Sequence, residues 1–194
     1  MQTEFIAEVN RIYDNKLREA CLDMVEVIPK YFWHIPASSS GKYHPACDLG
    51  DGGLVRHSIM VTRVAEDLIK AGIFVKCTQK NLDMAKVATL FHDCFKSGYE
   101  SVDGKYSDHT EFCHPIYASS FVRKKLLAYD VPKKIIDKIC SAISSHMGKW
   151  NTSDYEPLVA LPTPETDFEK LIHTADYIAS RKYIGSLTEW GEKE

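Results

Sequence analysis

The chain has 194 residues, of which 44% are hydrophobic and 26% are charged, and its formal net charge is −3. This length and apolar content suit one well-buried domain and are short for two. We therefore expect a single domain over residues 1–194, with a helical N-terminal extension at about 1–32 and a core at about 33–182. The weak negative charge excludes a general attraction to membranes or to long double-stranded nucleic acid.

Two further features of the composition concern the cellular compartment. The N-terminal segment carries acidic residues and lacks the apolar centre of a signal peptide, and no run is apolar enough to span a bilayer. The six cysteines are scattered without a CxxC pair, which favours reduced, buried thiols over a disulfide framework. Both features favour a cytoplasmic protein.

Apolar residues recur at helical spacing along most of the chain, and no alternating strand pattern is present. The expected fold is all-α, a compact bundle of about six to eight helices. The long loop from about His34 to Gly53 is rich in Gly, Ser, Pro and Asp, and loops of that length are usually functional or disordered. The predicted helices are one or two within residues 4–32, then Leu54 to near Gly72, Asn81 to about Asp93, Pro115 through Leu127, Pro132 to His146, and Glu165 to Ile184.

Six polar residues lie on or next to otherwise apolar helical faces, where an unpaired polar group is costly. Two of them, His92 and Asp93, are adjacent at the end of a predicted helix, where consecutive side chains can turn towards one centre. Imidazole and carboxylate groups bind Mn, Fe, Co, Ni or Zn, and six such ligands suit two ions better than one tetrahedral ion. The sequence therefore predicts a site for two divalent transition-metal ions, formed by His57, His92, Asp93, His114, His146 and Asp176.

The order H…HD…H…H…D resembles the HD-domain superfamily of metal-dependent phosphohydrolases, in its binuclear branch. The segment PASSSGKYHPACDLGDGGLVRHS is similar to the matching segment of HD proteins related to the YhaM-type 3′–5′ exoribonucleases. HDCFKSG resembles the HDxGK motif, and CHPIYAS, SHMGKWN and LIHTADYIAS resemble the later ligand segments. The resemblance covers about residues 33–182 and implies an HD-type helical fold.

The resemblance also implies a catalytic or metal-binding role for each of these residues. A hydroxide activated by two ions would hydrolyse a P–O bond, in a phosphodiester or a phosphoanhydride, of a nucleotide or short oligonucleotide. Asp93 and Lys96 would be the catalytic residues, with Lys96 placing a positive charge on the transition-state phosphate. Asp93 would bridge the two ions, one held also by His57, His92 and Asp176 and the other by His114 and His146.

Departures from the family pattern narrow the range of expected substrates. Met147 stands where many relatives have a second histidine, and Cys94 and Phe95 replace the usual pair within HDxGK. The GYP tripeptide of the cyclic-di-GMP phosphodiesterases is replaced by residues of WNTSDYEP, which argues against cyclic-di-GMP. The stretch before the core is short for an OB-type nucleic-acid domain, which argues against a processive RNA exonuclease.

Several side chains close to the predicted ligands are candidates for substrate contact. Loop histidines can touch the substrate or a metal, Lys and Arg can bind phosphate, and a tryptophan can stack on a base. His173 shares a helical face with Asp176 and is assigned to packing. The substrate candidates are His44, Lys96, His109, Lys149, Trp150 and Arg181.

Two other functions are compatible with the same residues. Some HD-fold proteins with this ligand order are mixed-valent di-iron oxygenases that cleave C–C or C–P bonds with O₂, and imidazole and carboxylate serve iron as well as manganese. A third possible function is that of a non-catalytic HD domain that binds a nucleotide as a sensor. All six ligands and Lys96 are present, which favours an enzyme, because binding alone needs no pair of ions to activate water. Metal identity and oligomeric state stay open.

Overall fold

The computed structural model describes residues 1–38 and 41–183. The described residues contain seven α-helices and no β-strand beyond one isolated bridge between Thr152 and Ala160. This confirms the predicted all-α fold of six to eight helices. The helices are α1 Gln2–Val9, α2 Asn15–Val27, α3 Gly53–Lys70, α4 Gln79–Phe91, α5 His114–Ala128, α6 Lys133–Ser144 and α7 Asp167–Ala179.

The N-terminal helices pack on the rest of the bundle. Asp14 starts α2, because its side chain accepts a hydrogen bond from the Leu17 N–H and so satisfies a free helix-end donor. Helix α1 contacts α2, α3 and α4, and α2 contacts α4 and α5. The buried ring of Phe5 meets Phe91 of α4 edge-on, with centroids 5.6 Å apart. The segment predicted as an extension therefore contributes to the same apolar core.

Helices α3, α4 and α7 form the centre of the bundle. Helix α3 packs against both α4 and α7, and α6 contacts α4 and α7. His57 lies on the buried face of α3, between Leu54 and Val61, as the helical period predicts. None of the helices in the described ranges has the length and apolarity of a membrane span.

Two helices end before the predicted limit. Helix α6 ends at Ser144 instead of His146, because the hydroxyls of Ser144 and Ser145 donate to the Ser141 carbonyl and compete with the helical ladder. Helix α7 ends at Ala179, where the Ser180 hydroxyl donates to the carbonyl of Asp176. The predicted end at Ile184 lies outside the described residues. His146 consequently lies in a turn that follows α6.

All six cysteines are free, and the prediction that they are buried is only partly right. Cys21, Cys94 and Cys140 are buried, and Cys113 is half-buried. Cys47 and Cys77 are exposed, because they lie in the connections that precede α3 and α4 rather than on an apolar helical face.

Candidate metal centre

The six predicted ligands converge within the bundle, from five segments of the chain. Helix α3 carries His57, the turn after α4 carries His92 and Asp93, and α7 carries Asp176. His114 is the first residue of α5, where the following Pro115 leaves no unsatisfied N–H. Among these six residues, potential ligand atoms lie within 4.8 Å of one another in three groups: His57, His92 and Asp93; His92, His146 and Asp176; and Asp93, His114 and His146. A fourth group joins His57 to His44 and Asp48.

The carboxylate of Asp93 lies between two groups of histidines. Its Oδ1 is 2.9 Å from Nε2 of His114 and 3.4 Å from Nε2 of His146. Its Oδ2 is 3.6 Å from Nε2 of His92, on the other side. The two oxygens thus face two different sets of nitrogen atoms, which is the arrangement a carboxylate needs to bridge two cations.

Asp176 faces the group on the His92 side. Its Oδ1 lies 3.0 Å from Nε2 of His57 and 3.7 Å from Nε2 of His92. Helix α7 presents this carboxylate to α3 because the two helices pack together. Asp176 therefore contacts one histidine of α3 and one histidine of the turn after α4.

Three of the histidines are oriented by the backbone in the same way. Each has its Nδ1 within hydrogen-bond distance of the carbonyl oxygen three residues earlier, and since a carbonyl can only accept, Nδ1 must carry the proton. Nε2 then keeps its lone pair, as a metal ligand requires. The Nδ1–O distances are 2.7 Å for His92 to Thr89, 2.6 Å for His114 to Glu111 and 2.7 Å for His146 to Ile143.

These atoms fit a cation. Nε2 of His92, Nε2 of His114 and Oδ1 of Asp93 are buried and have no hydrogen-bond partner among the described residues. A buried polar atom without a partner costs about 1–3 kcal/mol. Nitrogen lone pairs and carboxylate oxygens in one cluster are the donors that divalent transition metals accept, and two bound ions, one on each side of Asp93, would satisfy these atoms.

Charge in the centre depends on burial and on neighbouring groups. Burial by itself raises the pKa of Asp93, but the Lys96 ammonium and His92 outweigh burial and hold this pKa well below its ordinary value. Burial likewise opposes ionisation of Asp176, and the neighbouring imidazoles of His57 and His92 lower its pKa well below its ordinary value. Burial lowers the pKa of His57, yet its contacts with Asp176 and Asp48 raise it to about 9. Both carboxylates are therefore negatively charged at neutral pH.

Lys96 reaches the centre from the turn after α4. Its Nζ lies 2.5 Å from Oδ2 of Asp93, and its side chain is mostly buried. It also lines the open cavity in front of the ligands, which has a volume of about 690 Å³. A cation that lines this cavity next to the Asp93 carboxylate can contact an anionic group of a substrate there.

Asp48, in the loop before α3, is a residue that the sequence analysis missed. It is buried, and its Oδ2 lies 3.5 Å from Nδ1 of both His57 and His44. Its main-chain carbonyl accepts from the Ala37 N–H, and a side chain at position 53 would clash with that carbonyl, 2.0 Å from an added Cβ. Gly53, the last glycine of GDGG, was the sequence signal for this contact, since a glycine there permits the close approach of the loop to α3.

Most of the predicted substrate contacts line the cavity, and one does not. His44, Lys96, Lys149, Trp150 and Arg181 all line it, together with five of the six predicted ligands. His109 is exposed and lies outside the cavity wall, although its neighbour Thr110 is part of that wall. The N–H of Glu111 donates to the Lys96 carbonyl and anchors the loop at this point.

His173 supports the turn that carries His146. Its Nδ1 donates to the carbonyl oxygen of His146 over 2.7 Å. The ring occupies the space beside Gly148, where an added Cβ would lie 2.2 Å from Cε1 of His173. The packing role assigned from the sequence therefore includes a hydrogen bond to the backbone of a predicted metal ligand.

Comparison with known proteins identifies the family. The family model described as the HD domain matches residues 54–181, more than half of the chain, and that range contains all six predicted ligands. Neither a search of curated proteins nor a search of solved structures finds a match. The chain therefore belongs to the HD-domain family, within the superfamily of metal-dependent phosphohydrolases.

Proposed function

We propose that this protein is a metal-dependent phosphohydrolase that cleaves a P–O bond of a nucleotide or short oligonucleotide, with two divalent transition-metal ions. The position of Asp93 carries the proposal, since its two carboxylate oxygens face separate groups of histidine nitrogens. Membership of the HD-domain family supports the reaction class. The ions would be held by His57, His92, Asp93, His114, His146 and Asp176.

The chain supplies the surroundings that such a reaction needs. Divalent ions bound there would lower the pKa of a water molecule from about 15.7 towards 7 and would neutralise phosphate oxygens. The backbone carbonyls that accept from Nδ1 of the histidines keep the opposite nitrogens directed at the centre. Lys96 brings a positive charge to the cavity wall, where it would stabilise the extra negative charge of the transition state.

The shape and charge of the site support a small anionic substrate. The cavity of about 690 Å³ is open to solvent and is lined by three cations, Lys96, Lys149 and Arg181. Because the net charge of the chain is −3, an anion is attracted by these local charges and by bound metal rather than by the whole molecule. A single nucleotide or a short single strand can reach such a centre, whereas a long duplex is not expected to.

A turnover panel tests the proposal. We would incubate anaerobic, Mn²⁺-supplemented protein with nucleoside mono-, di- and triphosphates, cyclic nucleotides, dinucleotides and short RNA and DNA oligomers, and read the products by mass spectrometry. We expect hydrolysis of at least one class, lost in His92→Ala and kept in His109→Ala, since His109 lies outside the cavity wall. Absence of hydrolysis by protein that carries two metals per chain would overturn the proposal.

A further inference from the structure

A further cluster of potential metal ligands lies between α3 and the loop that precedes it. We define the loop cluster as His44, Asp48 and His57, whose ligand atoms lie within 4.8 Å of one another. Oδ2 of Asp48 is 3.5 Å from Nδ1 of His44 and 3.5 Å from Nδ1 of His57. Only His57 belongs also to the six predicted ligands, and there it faces Asp176 with its other ring nitrogen, Nε2. The loop cluster therefore has two ligands of its own and uses a different nitrogen of the His57 ring.

Three polar atoms of the loop cluster are buried and have no hydrogen-bond partner in the part of the chain that the structure describes. They are Nδ1 of His44, Oδ2 of Asp48 and Nδ1 of His57. The separations of 3.5 Å are longer than the usual N–H···O distance of about 2.7–3.2 Å. Because Asp48 and His57 are each only 1% exposed, bulk water does not replace the missing partners. One bound ion would satisfy all three atoms.

The spacing within the loop cluster matches that of ligands around one tetrahedral ion. Nitrogen and oxygen ligands lie about 2.0–2.2 Å from Zn²⁺, so two of them at the tetrahedral angle are about 3.4 Å apart. Both histidine nitrogens lie 3.5 Å from Oδ2 of Asp48. Two imidazoles and one carboxylate are an established ligand set for zinc, and they leave the fourth position to a water molecule.

His57 differs from the other predicted histidine ligands at its Nδ1. In His92, His114 and His146, Nδ1 faces a backbone carbonyl, which can only accept and therefore keeps a proton on that nitrogen. Nδ1 of His57 instead faces the carboxylate of Asp48, which can bind either a proton or a metal ion. The His57 ring can therefore present each of its two nitrogens to a different metal ion.

Contacts with α3 hold the loop cluster in place before any ion binds. The 3₁₀ turn Ala46–Asp48 carries the carboxylate. The guanidinium of Arg56, on α3, donates to the main-chain carbonyls of Cys47 and Leu49 and ties both sides of Asp48 to the helix. Since the ligands are already ordered, ion binding costs little conformational entropy.

The loop cluster can be reached from the cavity. His44 and His57 both line the cavity of about 690 Å³ in front of the two-ion centre. The side chain of His44 is 14% exposed, whereas that of Asp48 is 1% exposed. An ion that enters the cavity is thus next to two of its three ligands, which is the entry path that a metal site needs.

We propose that the loop cluster is a third metal site, which binds one tetrahedral Zn²⁺ through Nδ1 of His44, Oδ2 of Asp48 and Nδ1 of His57, with water as the fourth ligand. The zinc–nitrogen bond at His57 forms as its Nδ1–H bond breaks, and the proton leaves to solvent. The His57 ring then bridges the third ion and the two-ion centre. Because the ion must displace this proton, the third site is weaker than the two-ion centre and fills only in excess metal. This inference goes beyond the proposed function, since hydrolysis by two ions does not require a third.

The number of bound zinc ions tests the inference. Wild-type protein, His44→Ala and a control variant are brought to equilibrium with excess Zn²⁺ by dialysis, and bound zinc per chain is measured by elemental analysis. We expect wild-type protein to hold one ion more than His44→Ala, and this ion to have a dissociation constant at least about tenfold higher than the others. Dialysis against metal-free buffer should remove it first. His34→Ala is the matched control and should keep the extra ion, because His34 faces Asp51 over 3.1 Å but its side chain is 71% exposed.

Cobalt gives a second readout on unmodified protein, so that the test does not depend on the folding of His44→Ala. Tetrahedral Co²⁺ absorbs visible light far more strongly than six-coordinate Co²⁺, and we expect strong bands with the ion that binds last. Equal zinc contents in wild-type protein and His44→Ala, or a last equivalent of Co²⁺ without these bands, would overturn the inference. Neither readout involves turnover, so the turnover panel tests the proposed function separately and the two failures are distinguishable.

Discussion

The carboxylate of Asp48 lies 3.5 Å from Nδ1 of His57 and supports this ring from the side opposite the metal centre. The other nitrogen of the same ring, Nε2, lies 3.0 Å from Asp176. A carboxylate behind a metal-binding histidine fixes the orientation of the ring and raises its basicity. His57 is thus positioned by a side chain, whereas His92 after α4 and His146 after α6 are positioned by backbone carbonyls.

We expect Asp48→Asn to weaken metal binding about 10- to 100-fold, because the amide lacks the charge that orients His57. The measurement is the dissociation constant for Mn²⁺ by competition with a chelator. Asp51→Asn is the matched control, since Asp51 belongs to the same loop and its side chain is 79% exposed. Equal Mn²⁺ affinities in the two variants would show that Asp48 does not contribute to metal binding.

Lys96→Met separates catalysis from metal binding. We expect the turnover number to fall about 10²- to 10³-fold, because a positive charge near the developing negative charge is lost. Metal content should be maintained, since the Asp93 carboxylate loses a competing cation 2.5 Å away. Steady-state kinetics and elemental analysis of the same preparation check both expectations, with the exposed Lys105→Met as control. A normal turnover number in Lys96→Met would argue against a catalytic role.

Gly148→Ala should destabilise the protein through two separate effects. Gly148 has a φ of +59°, which costs a non-glycine residue about 1 kcal/mol, and the added Cβ would also clash with His173. Gly50→Ala is the matched control, because its φ is +72° but nothing lies within 4 Å of the added Cβ. We expect Gly148→Ala to lower the free energy of unfolding by about 1–3 kcal/mol more than Gly50→Ala does in urea titrations. Similar losses would show that the His173 contact is easily relieved.

Glu66 makes the stability of the fold depend on pH. Its buried carboxylate lies 2.6 Å from Arg11 and 3.0 Å from Lys86, and although burial opposes ionisation, these cations lower its pKa below the ordinary 4.5. Because the folded pKa is the lower one, the stabilisation is complete above about pH 4.5 and is lost as the pH falls through the folded value.

We therefore expect Glu66→Gln to lower the free energy of unfolding by about 3–5 kcal/mol at pH 7, since it leaves Lys86 buried and unpaired. The difference from wild type should shrink as the pH falls below about 4.5. Urea titrations at a series of pH values measure it, with Asp67→Asn, whose side chain is 82% exposed, as the neighbouring control. A difference that does not change with pH would show that Glu66 is not ionised in the folded state.

Local patterns predicted the helices and the six ligands, because both depend on nearby residues. The helical period places His57 on the buried face of α3, and the adjacent His92 and Asp93 mark a helix end. Asp48 could not be found in this way, since its loop has no period and its contacts with α3 depend on tertiary packing. The place of His109 outside the cavity wall likewise depends on long-range hydrogen bonds that anchor its loop, such as that from Glu111 to Lys96.

The metal content of Asp93→Ala tests the central claim most directly, because Asp93 is the residue shared by both histidine groups. Elemental analysis should find two transition-metal ions per chain in wild-type protein and in the exposed control Asp103→Ala. In Asp93→Ala we expect both ions to be lost, together with turnover, while the circular dichroism spectrum stays helical. An Asp93→Ala protein that is fully metallated and active would contradict the account.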